Sequence, residues 1–165
     1  MRTKKCPRRF FLKGSIAGAA TAGAALAMPA SAAQGMPGAE KKIITRPGEP
    51  LTPASLLSPA TQLGNLLFLS GSGALDLQTH KVVAGPIGNQ VKQCLEKLKT
   101  VLEAAGSSLD KVLKCTVFLT DMADFQAMNA VYHTYFTANP PARTTIAAKD
   151  QPGQSPVEIE CIAYV

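Results

Sequence analysis

"NQVKQCLEKLKTVLEAAGSSLDKVLKCTVFLTDMADFQAMNAVYHTYF", residues 89–136, carries a helical period, a strand-like run and a second helical period in succession. Over residues 89–106 the apolar Val91, Cys94, Leu95, Leu98, Val101, Leu102 and Ala105 recur every three or four positions. Lys92, Glu96, Lys97, Lys99 and Glu103 fall mostly between them. One apolar stripe at that spacing predicts an amphipathic helix, and Gly106 supplies its stop. "KVLKCTVFLTDM" (111–122) is rich in β-branched and aromatic residues and reads as a strand. Helical spacing returns over 124–138, with Phe125, Met128, Tyr132, Tyr135 and Phe136 as the buried side and Asp124 as the expected cap. Pro140 and Pro141 prevent the helix from continuing.

Upstream, "KKIITRPG" (41–48) offers a short first strand. "TQLGNLLFLSGSGAL" (61–75) offers a second, with Gly64-Asn65 as a turn and an apolar run ended by the Gly-Ser cluster. "DLQTHKVVAG" (76–85) reads as a turn leading into a third. Downstream, "RTTIAA" (143–148) and "VEIECIAYV" (157–165) are the last two strands. The polar "KDQPGQSP" between them predicts a hairpin turning about Pro152 and Gly153. The expected order is β-β-β-α-β-α-β-β, an α+β domain with a mixed β-sheet and two helices on one face.

The first 32 residues stand outside this domain and read as an export signal. Lys4, Lys5, Arg8 and Arg9 make a basic start, and residues 16–28 are too few and too weakly apolar to span a bilayer. Ala30-Ser31-Ala32 then offers a cleavage site of small residues. "RRFFLKG" resembles the twin-arginine signal, which implies a periplasmic destination and contact with the membrane only during export. Residues 33–40 suit a flexible leader, and 41–165 form the domain. Six of the chain's 17 Lys and Arg residues lie in the first 32 positions together with none of its 11 acids. The remainder therefore carries 11 of each sign, and no basic stripe is left for a nucleic-acid partner. Beyond Cys6 the cysteines are Cys94, Cys115 and Cys161, an odd set that argues against a disulfide framework. Cys115 and Cys161 fall in strand-like runs and read as buried thiols.

Most reactive constellations are missing. His80 and His133 have no cysteine or acid at metal-ligand spacing, and "GPIGNQ" (85–90) lacks the lysine of a phosphate loop. The "SGSG" of 70–73 could imitate a nucleophile elbow, but a tight turn explains it as well. Two anomalies remain in the last two strands. Arg143, with Thr145 and Ala147 on its face, is a charge in a strand of small and β-branched residues; Glu158 and Glu160 share a face with Ile162 and Tyr164. In the expected hairpin the Arg143 and Glu158 levels stand roughly 13 Å apart, so the two do not meet there. These charges either protect a sheet edge from aggregation or, for Arg143, present a fork to a ligand carboxylate. Pattern leaves both open.

"GNLLFLSG", "AAGSSLDKVLKCTVFLTDMADFQAMNAVYHTYF", "PPARTT" and "VEIECIAYV", in this order and spacing, resemble the RidA (YjgF) family of reactive-intermediate deaminases over about residues 41–165. The resemblance implies a chorismate-mutase-like fold, a homotrimer with clefts between subunits, and hydrolysis of enamines and 2-imino acids to 2-keto acids and ammonia. It implies that Arg143 binds the substrate carboxylate and that Glu158 orients or activates the attacking water. It further implies that the Thr145 backbone N–H and the Ser70-Gly71 turn line the cleft, and that Asn129 supports it. Glu160 would be structural, and no metal or organic cofactor is implied. A non-catalytic trimer that binds small carboxylates, or a chaperone-like one, is the alternative. RNA cleavage, attached to relatives, is opposed by the neutral charge and the lack of a histidine pair. The chain departs from the family at Leu57, in "LSPA" where a tyrosine is common, and at Ser72, which replaces a glutamine; both are expected where the substrate is contacted.

Overall fold

The computed structural model describes residues 40–165. The expected export signal (1–32) and all but the last residue of the expected leader (33–40) lie outside the described residues. The elements are β1 (Lys42–Ile44), β2 (Ala60–Leu63), β3 (Leu66–Gly73), α1 (Ile87–Ala104), β4 (Val112–Leu119), α2 (Phe125–Tyr135), β5 (Ala142–Ala147) and β6 (Val157–Tyr164). The strands form one six-stranded sheet in the order β1-β2-β3-β6-β4-β5. Only β4 and β5 pair in parallel; the other neighbours are antiparallel. Because β3 and β4 both run antiparallel to β6, they are parallel to each other, and α1 is the crossover between them. The helix α2 plays the same part between β4 and β5, as parallel strands require.

The α+β expectation holds, with two corrections. The second expected strand breaks at Gly64 (φ 59°) into the hairpin β2-β3, while residues 76–85 form no strand. There the Asp76 carboxylate accepts hydrogen bonds from the N–H groups of Gln78 and Thr79 and from the Thr79 hydroxyl, closing a tight turn. A single bridge, Leu75 to Val82, is all that remains before Pro86 opens α1. The second correction concerns β5 and β6, which do not form a hairpin. Strand β4 lies between them: Cys115 is the register partner of both Arg143 and Cys161. The strand with the fully apolar face, β6 (Val157, Ile159, Cys161, Ala163, all buried), takes a central place, and β5 is left at the edge.

The helix α1 buries Val91, Cys94, Leu95, Leu98, Val101 and Leu102 in one core with Met128 and Tyr132 of α2 and the inner faces of β3, β4 and β6. Its end is a Schellman motif: Gly106 adopts φ 75°, and the Ser107 N–H donates to the Leu102 carbonyl at 2.8 Å. Asp124 makes no side-chain cap on α2; instead Asp121 accepts from the Ala123 N–H at 2.8 Å, capping the preceding 3-10 turn (Met122–Asp124). Ser155 ties the end of β3 to the start of β6, accepting from the Ala74 N–H at 2.7 Å and donating to the Val157 carbonyl at 2.6 Å. Ser155→Ala leaves a buried N–H unpaired, so a stability loss of about 2 kcal/mol is expected in urea unfolding. The opposite face of the sheet has no covering layer among the described residues. Leu66, Phe68, Ile146 and Tyr164 are exposed on it.

Candidate active site

Arg143 stands one residue into β5, where Pro140-Pro141 and Asn139 (φ 51°) have turned the chain back from α2. Its side chain points to the helix side of the sheet, over Cys115 and beneath α2. The guanidinium donates to the Asn129 Oδ1 at 2.6 Å and stacks over the rings of Tyr132 and Phe125, 4.6 and 5.7 Å from their centroids. Asn129 lies three residues before Tyr132, so one helical turn supplies the amide and the nearer ring. Two aromatic faces and an amide stabilise a cation, but none of them neutralises it. The ion pairs among the described residues are Arg46–Glu49 and Lys99–Glu103; neither involves Arg143. A cleft of about 470 Å³ opens in front of it, lined also by His133, Phe136 and the two prolines.

Thr145 is on the same side of β5, with its hydroxyl buried and without a hydrogen-bond partner. The Ala148 N–H donates to Leu119 across the β4 side. Alternation therefore aims the N–H of Thr145 off the free edge of the sheet, where an incoming acceptor can take it.

Glu158 occupies the other face. On β6 it is the register partner of Phe118 and of Gly73, and its side chain projects to the side away from the helices. The β3 register shifts between Leu69 and Ser72, so Ser70 and Gly71 form a bulge beside it. A Cβ placed on Gly71 would stand 1.9 Å from the Glu158 Oε1, so only glycine lets the carboxylate lie against the backbone there. The Ser70 hydroxyl donates to the Ser58 carbonyl at 2.8 Å and the Ser70 N–H to the Pro59 carbonyl at 3.0 Å. These bonds fasten the segment carrying Leu57, itself 64% exposed, to the bulge. Burial pushes the Glu158 carboxyl above its usual range, Glu160 pushes it further, and Lys97 opposes both.

The expected site residues thus fall into two groups. Arg143, Asn129 and Thr145 come together at the sheet edge under α2; Glu158, Gly71 and Ser70 come together on the open face. Within one chain the two groups lie on opposite sides of the sheet, with β4 between their strands. Ser72 departs from expectation: pairing with Ile159, it turns toward the helices and is 3% exposed, off the Glu158 face. The helical period predicts the rings of Tyr132 and Phe125 as core only, although their spacing with Asn129 marks one helix side. Cys94, Cys115 and Cys161 are free and buried, and burial raises each thiol above its ordinary value, which disfavours the reactive thiolate. Among the described residues no cluster suited to a metal ion is present.

A family model described as endoribonuclease L-PSP matches residues 48–165. The chain is 45% identical over 112 residues to a RutC family protein of Pyrococcus horikoshii, covering 68% of this chain and 89% of that one. It is 35% identical over 125 residues to the 2-iminobutanoate/2-iminopropanoate deaminase of Dermatophagoides farinae, covering 76% and 97%. Of solved structures, the YjgF gene product of E. coli superposes with a TM-score of 0.68 at 32% identity, covering 74% of this chain and 98% of that one. A family match over most of the described domain and relatives of this identity and coverage agree: this chain belongs to the RidA (YjgF, endoribonuclease L-PSP) family.

Proposed function

We propose that the protein is a homotrimeric hydrolase of 2-imino acids whose sites form between subunits. The observation that carries this is the Arg143 guanidinium, set in a cleft against an amide and two rings with no carboxylate of its own among the described residues. Such a cation calls for an anion from outside, and its planar fork suits a carboxylate. A relative at 35% identity is named a 2-iminobutanoate/2-iminopropanoate deaminase, which supports an imino acid as the bearer of that carboxylate. The uncovered sheet face, with Phe68, Ile146 and Tyr164 exposed beside Glu158, supports a neighbouring copy as its cover.

In this reading the substrate carboxylate lies on Arg143 with the Thr145 N–H beside it. Glu158 of the adjacent subunit takes a proton from water as the oxygen bonds to the iminium carbon. Glu158 then returns that proton to the carbinolamine nitrogen, the C–N bond breaks as the hydroxyl proton passes to the departing ammonia, and a 2-keto acid and ammonium leave. A carboxylate raised toward neutral pH by burial is a better base than an ordinary glutamate, and its negative charge favours the iminium form. Holding the reactants in place suffices for a reaction already fast in water.

A second reading, a carboxylate-binding trimer without turnover, draws on the Glu158 wall. Leu57 offers it no hydroxyl, and Ser72 is turned into the core. The family's ribonuclease description finds no basic stripe here to hold a phosphate backbone. The two readings separate when imino acids are generated by an amino-acid oxidase and the surviving imine is trapped with semicarbazide. A fall in semicarbazone with matching keto acid supports the hydrolase. Binding of a 2-keto acid with no fall in semicarbazone would leave only the binding module.

A further inference from the structure

Lys97 of α1 is a charged side chain only 9% exposed. An ammonium taken from water is costly unless its donors are filled and its charge has a use. Its Nζ donates to the carbonyls of Gly73 at 2.9 Å and Leu75 at 3.1 Å. Both belong to the end of β3 and the residues after it, and Gly73 is the register partner of Glu158. Two residues earlier is Gly71, the backbone against which the Glu158 carboxylate lies. The helix α1 therefore reaches, through one long side chain, the stretch of chain that backs the carboxylate.

Neutral side chains already serve this region. Ser155 satisfies the Ala74 N–H, and the Gln93 amide also donates to the Leu75 carbonyl, at 3.4 Å. What a lysine adds to such groups is charge. The charged and titratable groups facing it are Glu158 from β6, Cys94 on its own helix, and Arg46 and Glu49 from the segment after β1. Arg46 and Glu49 pair with each other at 3.4 Å, and Cys94 is held as a neutral thiol by burial. Glu158 in turn faces Glu160 and Lys97.

We infer that Lys97 is a positioning residue for Glu158: it pins the end of β3 behind the carboxylate and supplies, from the helix side of the sheet, the positive charge that offsets Glu160. The catalytic importance of this arrangement rests on the reading of Glu158 as the water-activating carboxylate. The electrostatic coupling does not, because it needs only the two opposite charges that adjoin the same stretch of β3, Lys97 through the Gly73 carbonyl and Glu158 through its register with Gly73.

The test is a titration of the Glu158 side-chain carboxyl by NMR, its signal assigned by its loss in Glu158→Gln. Lys97→Gln keeps a donor and removes the charge; Lys97→Arg keeps both; Lys97→Met removes both. The Glu158 midpoint is expected at higher pH in the Gln and Met variants and near its original place in the Arg variant, with the acid limb of kcat/KM moving in parallel. Only the Met variant should lose much resistance to urea. A reciprocal measurement leaves Lys97 untouched: in Glu158→Gln the Lys97 ammonium should lose its proton at lower pH than in the wild type. A Glu158 midpoint unmoved in a folded Lys97→Gln, or a Lys97 midpoint unmoved in Glu158→Gln, overturns the inference. If the wild type hydrolyses no imine, the hydrolase reading falls while both titrations still decide the coupling.

Discussion

Arg143→Ala is expected to lower kcat/KM for a 2-imino acid about a thousandfold, because two charge-assisted hydrogen bonds to the substrate carboxylate, roughly 1.5–3 kcal/mol each, vanish together. Folding should barely notice. The substitution removes one hydrogen bond to Asn129 and the stacking on Tyr132 and Phe125, but it also removes a half-buried charge with no carboxylate partner among the described residues. The net change in urea unfolding should stay within about 1 kcal/mol. Arg143→Lys keeps the charge without the fork and should fall between, about ten- to a hundredfold down. Steady-state hydrolysis of imines formed in situ measures all three. An alanine variant with near wild-type turnover would mean that the carboxylate is held elsewhere.

The sequence made the helices and the central strands legible because each has an unbroken period: the stripe from Val91 to Leu102 and the run at 112–119 both match elements of the fold. Strand order was harder. Nearness along the chain suggested that β5 turns into β6, whereas the unit β4-α2-β5 is a crossover that must lay β5 beside β4 and so removes the hairpin. The crossover is visible in the pattern; the competition for the centre of the sheet, decided by the apolar face of Val157, Ile159, Cys161 and Ala163, is a matter of tertiary packing. Ser72 misled for a different reason. The bulge at Ser70-Gly71 advances the alternation by one, so a residue expected in the cleft turns into the core. By residue type Lys97 counts among the polar positions between apolar ones, yet it stands three positions after Cys94 and four before Val101, on the buried stripe. That spacing was the available signal. The meeting of Arg143 with Asn129, 14 residues apart on different elements, follows only from tertiary packing.

The positions of Arg143 and Glu158 on opposite faces of one sheet lead to a second large effect, which depends on how subunits share sites. Glu158→Gln removes the base while Arg143 still holds the substrate, so kcat should fall about 10²- to 10³-fold with KM little changed. In the wild type, activity should be lost as pH falls through the midpoint of Glu158. Burial and Glu160 place that midpoint above the ordinary carboxylate range, so the acid limb sits at higher pH than an unperturbed glutamate would give. Arg143→Ala and Glu158→Gln are then each nearly inactive alone. In the proposed ring of three, however, each site would take its arginine from one subunit and its glutamate from the next. When the two variants are co-expressed at equal levels and assort at random, about one site in four receives both intact residues, so activity should return to about a quarter of wild type. The same variants purified apart and mixed without subunit exchange should stay inactive. Sites built within single subunits would give no recovery in either case, since every subunit lacks one of the two groups, and that result would end the reading of a cleft shared between subunits.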